Sequence, residues 1–388
     1  MKSYDTLIVG GGIIGAALAF ELARLHQSVL VLDRQEPGHE ASWAAAGTIS
    51  PAPDQEAAGI AALGCQSYRL YPDFVSAIEA ATGQSAGFHT NGAFELFFES
   101  NAEAQRDQRL KQVRDAGVAA ESISLAEARR REPAIGPSVR AVLWIADEAH
   151  LDPRMLTRAT LAAAERVGAE IRANTEAISV ITRDSQCDGV LAVCTETHRA
   201  AESRVRTAEK IAARNVVVAA GWRSKEIGGA ESWAPAAPVR GQMVAFGRVP
   251  GAPRTILRCE RGYMAPREDG RIVAGSTLEP GALDKHPSAA GLRKILAAAT
   301  DMAPALADAP VLETWAGIRP DSPDHLPIIG ATDVAGLFIA TGHYRNGMLL
   351  APATAKYLAE WVVEGRASKY LEPFSPMRFA AASRGVNP

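Results

Sequence analysis

Thr6-Leu7-Ile8-Val9-Gly10-Gly11-Gly12-Ile13-Ile14-Gly15, continued as far as Asp33, is the stretch that decides the fold. Thr6 to Val9 reads as a short apolar strand, and Gly10, Gly12 and Gly15 stand at G-x-G-x-x-G spacing. Apolar residues then recur at helical spacing from Ile13 to about His26. Ser28 to Leu32 is a second strand, and Asp33 follows it, 23 residues after Gly10. One glycine permits the tight turn, one lets backbone approach a pyrophosphate, and one lets helix and strand pack closely. The helix start offers unpaired N–H groups and a positive dipole end to phosphates. An acid after the second strand can accept hydrogen bonds from ribose hydroxyls. Glycine turns alone are common; the whole strand–turn–helix–strand–acid unit points to a dinucleotide.

Composition narrows the class. At 388 residues with 47% apolar content, the chain is long enough for two domains and a sizeable core. A net charge of −3 gives no basic face for nucleic acid. The densest basic run, Arg129-Arg130-Arg131, is flanked by Glu127 and Glu132 and reads as a solvated helix end. The first strand begins within four residues, so no signal peptide is expected. No apolar stretch has the ~18–20 residues of a membrane span. Cys65, Cys187, Cys194 and Cys259 form no C-x-x-C pair and no metal-ligand spacing, so reduced thiols in a cytoplasmic protein, without a metal, are expected.

An acid in that position suits NAD or FAD, and later segments favour FAD. Ala41 to Thr48 is a small-residue loop suited to close backbone approach, or else the start of an Ala-rich helix. Ala162 to Gly168 ends a helix, and Ala169–Ala173 and Thr175–Thr182 read as strands. Asn215 to Gly221 is an apolar strand closed by glycine, the pattern of a strand buried on both faces. Leu337 to Ala340 is another such strand. Thr341 to Met348 then turns into a helix over about Leu349–Glu364, and a helix start there can stabilise negative charge on a reduced flavin.

Between these pieces lie short strands at Phe94–Phe98, Val239–Phe246, Thr255–Cys259, Gly262–Ala265, Arg271–Gly275 and Val311–Arg319. Asp269-Gly270 marks a hairpin. Helices are expected at Ser100–Gly117, Leu125–Arg131 and Ala289–Met302. The implied architecture is a discontinuous Rossmann-like domain (1–82, 149–228, 326–388) with an antiparallel-sheet substrate domain (83–148, 229–325). The tail after Lys369 is polar and expected to fray.

Three stretches carry a resemblance: Ile8 to Gly15, Trp315-Ala316-Gly317-Ile318-Arg319-Pro320, and Gly342 to Thr354. Gly262 to Arg267 adds to it. On these the chain resembles the D-amino-acid-oxidase superfamily of FAD-dependent amine oxidases, most closely the glycine oxidases of thiamine synthesis (ThiO type), from Tyr4 to about Trp361. The resemblance implies a glutathione-reductase-type FAD domain holding FAD non-covalently, since no cysteine lies in the Gly342–Met348 turn. It implies that Gly10, Gly12, Ile13, Ile14, Gly15, Asp33 and Arg34 serve the adenosine diphosphate end. Ser42, Ala46, Gly47 and Thr48 would lie along the cofactor, Ala177 beside the adenine. Gly342, His343, Tyr344, Arg345, Asn346, Gly347, Met348 and Leu349 would cradle the isoalloxazine. Arg319 would bind a substrate carboxylate, with Tyr263 assisting and Arg345 shaping the pocket.

A planar guanidinium meets a carboxylate with two charge-assisted bonds, which suits Arg319 before the stiff Pro320. For Tyr263 a buried core role stands as an equal alternative, and His343 reads as structural rather than as a base. No acid–base pair or nucleophile emerges. That fits hydride transfer from substrate Cα to flavin N5, with O2 reduced to H2O2 and the imine hydrolysing or feeding thiazole assembly. The expected substrates are glycine, sarcosine or small D-amino acids, and the expected state is a homo-oligomer. A D-amino-acid oxidase or dehydrogenase of the same fold, and a non-catalytic FAD-binding protein, are the alternatives.

Overall fold

The computed structural model describes residues 2–51, 59–198 and 203–379. Its first sheet runs in the order Ile328–Ala331, Leu337–Thr341, Ser203–Val218, Ser3–Val9, Val29–Leu32, Glu170–Arg172. The central strands are parallel: Ile8 pairs with Val217 on one side and Val31 on the other. Strand residues alternate between two cores, as the two-residue period of a strand requires. Ile8, Val29, Val31 and Val217 pack against the helices Ile13–Arg24, Ala61–Thr82, Pro153–Arg166 and Gly347–Glu364. Leu7, Val9, Leu30, Leu32, Val216 and Val218 face a second core, closed by the strands Thr175–Arg183 and Gln186–His198. Nearly all of Ile13–Arg24 is buried, so this helix is apolar on most sides rather than on one stripe.

The second sheet runs Glu279–Pro280, Ala237–Phe246, Ile272–Gly275, Gly262–Pro266, Ile256–Cys259, Ala93–Phe97, Ala141–Ile145, Ala120–Ile123. Val311–Asp321 pairs with Ala237–Phe246 beside that path. All pairings are antiparallel except Ile256–Cys259 with Ala93–Phe97. The Asp269-Gly270 turn closes a hairpin as expected: Arg267 N–H donates to Arg271 C=O at 2.9 Å, and Gly270 sits at φ +85°.

Several details differ from the sequence reading. Of Asn215–Gly221 only Asn215–Val218 is strand, the end of the longer strand Ser203–Val218, which pairs antiparallel with Gln186–His198, and Gly221 opens a short 3-10 helix. Part of its outer portion, around Thr207 to Lys210, is exposed, so no apolar alternation marks it. The helix Ala61–Thr82 contains Pro72, and neither it nor the strand Ala141–Ile145 stood out in the sequence. The small-residue loop after Asp33 is part helix, Ala41–Ala44, and part extended chain. The tail does not fray directly after Lys369. Leu371 and Phe374 are buried, and Arg378 pairs with Asp324 at 2.8 Å. The last part of that tail, 380–388, lies outside the described residues.

Candidate functional site

A cavity of about 800 Å³ opens along the carboxyl ends of the parallel strands, lined there by Val9, Leu32, Ala219 and Ala340 and their successors. Ligands of open α/β sheets bind in such a crevice. Its glycines have steric reasons. A Cβ on Gly10, at φ +109°, would stand 2.5 Å from Ala219 O, and one on Gly15 would stand 1.9 Å from Gly10 O. Gly15 therefore acts beneath the cavity, allowing turn and helix to touch, and does not line it.

Asp33 accepts from Gly11 N–H at 2.8 Å and Gln35 N–H at 3.0 Å. Burial pushes its pKa up, opposed by these two hydrogen bonds. Thr175 N–H donates to Asp33 C=O at 2.7 Å, which brings Ala177 to the same end of the cavity. Arg34, paired with Glu40 at 2.6 Å, and Ser42, which accepts Ile13 N–H at 2.9 Å, continue the wall. Ala46, Gly47 and Thr48 carry it onward.

The helix Gly347–Glu364 begins on the cavity, with no acidic residue in its first turn to neutralise its positive end. Pro352 lies inside it and has no N–H for the Met348 carbonyl, four residues back. The Tyr71 hydroxyl donates to that carbonyl instead. Ala353 N–H finds Ser67 Oγ at 3.1 Å, so the helix Ala61–Thr82 repairs the break. His343 is buried, its Nε2 3.2 Å from Thr354 Oγ1. Burial alone lowers its pKa to about 3, so it is neutral at pH 7 and structural in character.

Opposite stands the second sheet. Arg319 donates to Thr277 C=O at 3.1 Å and to Ser276 Oγ at 2.8 Å. Among the described residues no carboxylate pairs with it. Burial is the main influence lowering its pKa; Tyr263 opposes that, and the Arg345 charge adds to it. Arg319 is thus a half-buried, partly desolvated guanidinium with donors to spare in the cavity wall. It fits there because residue 241 is glycine: a Cβ at Gly241 would lie 2.2 Å from both terminal nitrogens. Tyr263 lines the cavity beside it, with its hydroxyl 3.8 Å from Met243 Sδ. Tyr344, at φ +47°, donates its N–H to Pro320 C=O at 2.8 Å, drawing Arg345 to the same region.

Every residue named from the sequence lines this one cavity except Gly15 and Gly342, the latter at φ +70° in the turn beneath. The sequence reading missed Gly241, Ser276 and Thr277. A glycine inside a strand marks close approach of another group, and Gly241 was legible on that rule; Ser276 and Thr277 had no such signal. It also missed Arg258, paired with Glu95 at 3.2 Å beside Tyr263.

Residues 5–361 match the family model described as FAD dependent oxidoreductase (DAO). A glycine oxidase from Pseudomonas putida is 30% identical over 96% of this chain and 98% of its own length. The chain belongs to that family. A bifunctional ThiO/ThiG protein from Trichormus variabilis is 33% identical over 97% of the chain and 55% of its own length. The crystal structure of glycine oxidase from Geobacillus kaustophilus superposes with a TM-score of 0.87 at 29% identity, covering 97% of this chain and 99% of that one. The chain is an FAD-dependent enzyme, placed by these similarities among the amine oxidases of the family. The cavity fits the cofactor: a glycine turn no side chain could share, an acid at one end, and two helix starts along its length. Among the described residues no helix is long and apolar enough to cross a membrane.

Proposed function

We propose that this enzyme oxidises glycine or a comparably small carboxylate-bearing amine, such as sarcosine or a small D-amino acid, to the imine, with O2 reduced to H2O2. The observation that carries this reading is Arg319, a partly desolvated cation without a carboxylate partner among the described residues, beside Tyr263 in the cofactor cavity. Bound FAD supplies the acceptor for two electrons and a proton from the substrate C–H. Arg319 holds the carboxylate by two parallel N–H donors, and Tyr263 limits how the substrate lies. His343, neutral and hydrogen-bonded to Thr354, shapes the cavity without moving a proton. The cavity-lining residues named above for adenosine, pyrophosphate and isoalloxazine would hold those parts of FAD non-covalently, with Gly15 and Gly342 shaping the turns beneath. The imine hydrolyses to the 2-oxo acid. Similarity to the ThiO/ThiG proteins supports its use in thiazole assembly. A cytoplasmic location and a homo-oligomeric state, as the family resemblance implies, belong to the same proposal.

The test is anaerobic mixing of the holoenzyme with glycine, sarcosine, D-alanine and D-proline, followed by peroxide measurement in air. Bleaching of the flavin by the smaller amines, with stoichiometric peroxide on aeration, is expected. A flavin that none of the four bleaches refutes the reading and leaves an inert FAD protein.

A further inference from the structure

The loop behind the cofactor wall is held by its carbonyls. Trp43 C=O accepts from Arg154 Nε at 3.3 Å, Ala44 C=O from Trp315 Nε1 at 3.1 Å, and Gly47 C=O from Leu151 N–H at 2.9 Å. Ala46 C=O accepts from Arg267 Nη2. Arg267 is an unusual donor to spend on a peptide. It is 8% exposed, its nearest carboxylate is Asp152 at 3.9 Å, and burial lowers its pKa to about 10. It comes from the hairpin of the second sheet, 221 residues along the chain, and does not itself line the cofactor cavity.

In a trans peptide the N–H points opposite to the carbonyl. With the Ala46 carbonyl turned to Arg267, which does not line the cavity, the Gly47 N–H is turned away from Arg267, and Ala46, Gly47 and Thr48 are all cavity-lining residues. That N–H has no acceptor among the described residues. Gly47 has φ +73°, and a Cβ there would stand 2.1 Å from Leu151 O, so the chain commits a glycine to this orientation. A buried, unpaired N–H is costly, and a ligand acceptor relieves it.

We propose that Arg267 is a positioning residue for the cofactor: by holding the Ala46 carbonyl it fixes the Ala46–Gly47 peptide with its N–H donating to bound FAD. Trp315 and Arg154 secure the carbonyls just before it, so the second sheet sets the shape of the cofactor wall as well as the substrate side. This role is independent of which amine is oxidised.

The test is flavin release from serially diluted holoenzyme, read by flavin fluorescence, together with the visible flavin spectrum and the melting temperature. Arg267→Met should release FAD at roughly tenfold higher concentration or more and alter the flavin band, and Arg267→Lys should recover to within about threefold. Parental FAD retention and spectrum in Arg267→Met overturns the proposal, even where the melting temperature falls, since that pattern belongs to a purely structural arginine. If Arg267→Met does not fold, Trp315→Phe decides, because it removes the indole N–H that holds the Ala44 carbonyl while keeping an aromatic ring in place. Release at about threefold or higher concentration with an altered band supports the proposal, and unchanged release overturns it.

Discussion

Replacing Arg319 with alanine removes the cation on which the substrate reading depends, and the structure bounds the effect. The guanidinium has five N–H donors, of which the hydrogen bonds to Thr277 C=O and Ser276 Oγ use two, with a long contact to Arg240 C=O at 3.4 Å. Two donors then remain for a carboxylate, one of them facing the Tyr263 hydroxyl. Hydrogen bonds to charged groups contribute about 1.5–3 kcal/mol each, and partial compensation by entering water reduces the pair to about 2–4 kcal/mol. At about 1.4 kcal/mol per decade, kcat/KM for glycine should fall roughly 30- to 1,000-fold. Arg319→Lys keeps the charge and loses the fork, so an intermediate loss is expected. The assay is anaerobic flavin reduction against amine concentration, with flavin retention measured in parallel. FAD should stay bound, and a small amine without a carboxylate should be oxidised no more slowly by the variant than by the parent. Unchanged kcat/KM for glycine in Arg319→Ala would refute the carboxylate assignment.

Further outcomes follow from the same geometry. Gly241→Ala places a Cβ 2.2 Å from the terminal nitrogens of Arg319 and should lower kcat/KM by about tenfold or more with flavin retained; steady-state kinetics checks it. Asp33→Asn exchanges one acceptor oxygen for a donor beside Gly11 and Gln35, and should weaken FAD retention about tenfold, read by flavin release on dilution. His343 has its pKa lowered by burial from 6.5 to about 3. Between those values the unfolded chain binds a proton that the folded chain refuses, so stability is lost as pH falls through this window. Going from pH 7 to 5 should cost about 2 kcal/mol through this residue, and His343→Asn should flatten that part of a urea-denaturation pH profile. An equally steep profile in the variant would contradict the assignment.

What was legible in the sequence follows from the range of the interactions. The Gly10 turn, its helix and Asp33 are consecutive, and their contacts are made within about one turn–helix–strand unit, so spacing alone exposes them. Arg319 and Tyr263 were reached only by resemblance. Ser276, Thr277 and Gly241 become neighbours of Arg319 through pairing of Ala237–Phe246 with Val311–Asp321 and Ile272–Gly275, a register no local pattern states. The missed helix Ala61–Thr82 shows the converse. Pro72 argues against it locally, while burial of Tyr71, Phe74 and Ile78 against the first core favours it. Tertiary burial outweighs propensity there.

The strand Val311–Asp321 shows how the two sheets come to share one site. Its alternate residues 313, 315, 317 and 319 fall on one face by the two-residue period. Glu313 takes both terminal nitrogens of Arg154, at 2.8 and 3.0 Å, on the helix beneath the cofactor loop. Trp315 holds the Ala44 carbonyl, and a Cβ on Gly317 would come within 2.3 Å of Ala44 Cβ. Arg319, next in the series, lines the cavity where the carboxylate of the substrate is proposed to bind. A slip of one residue would reverse all four together, losing an ion pair, a loop anchor, a close contact and the cavity's arginine at once. The position of Arg319 relative to the loop Trp43–Gly47 is therefore set by the same face that holds that loop, and the proposed carboxylate clamp cannot drift without loosening it.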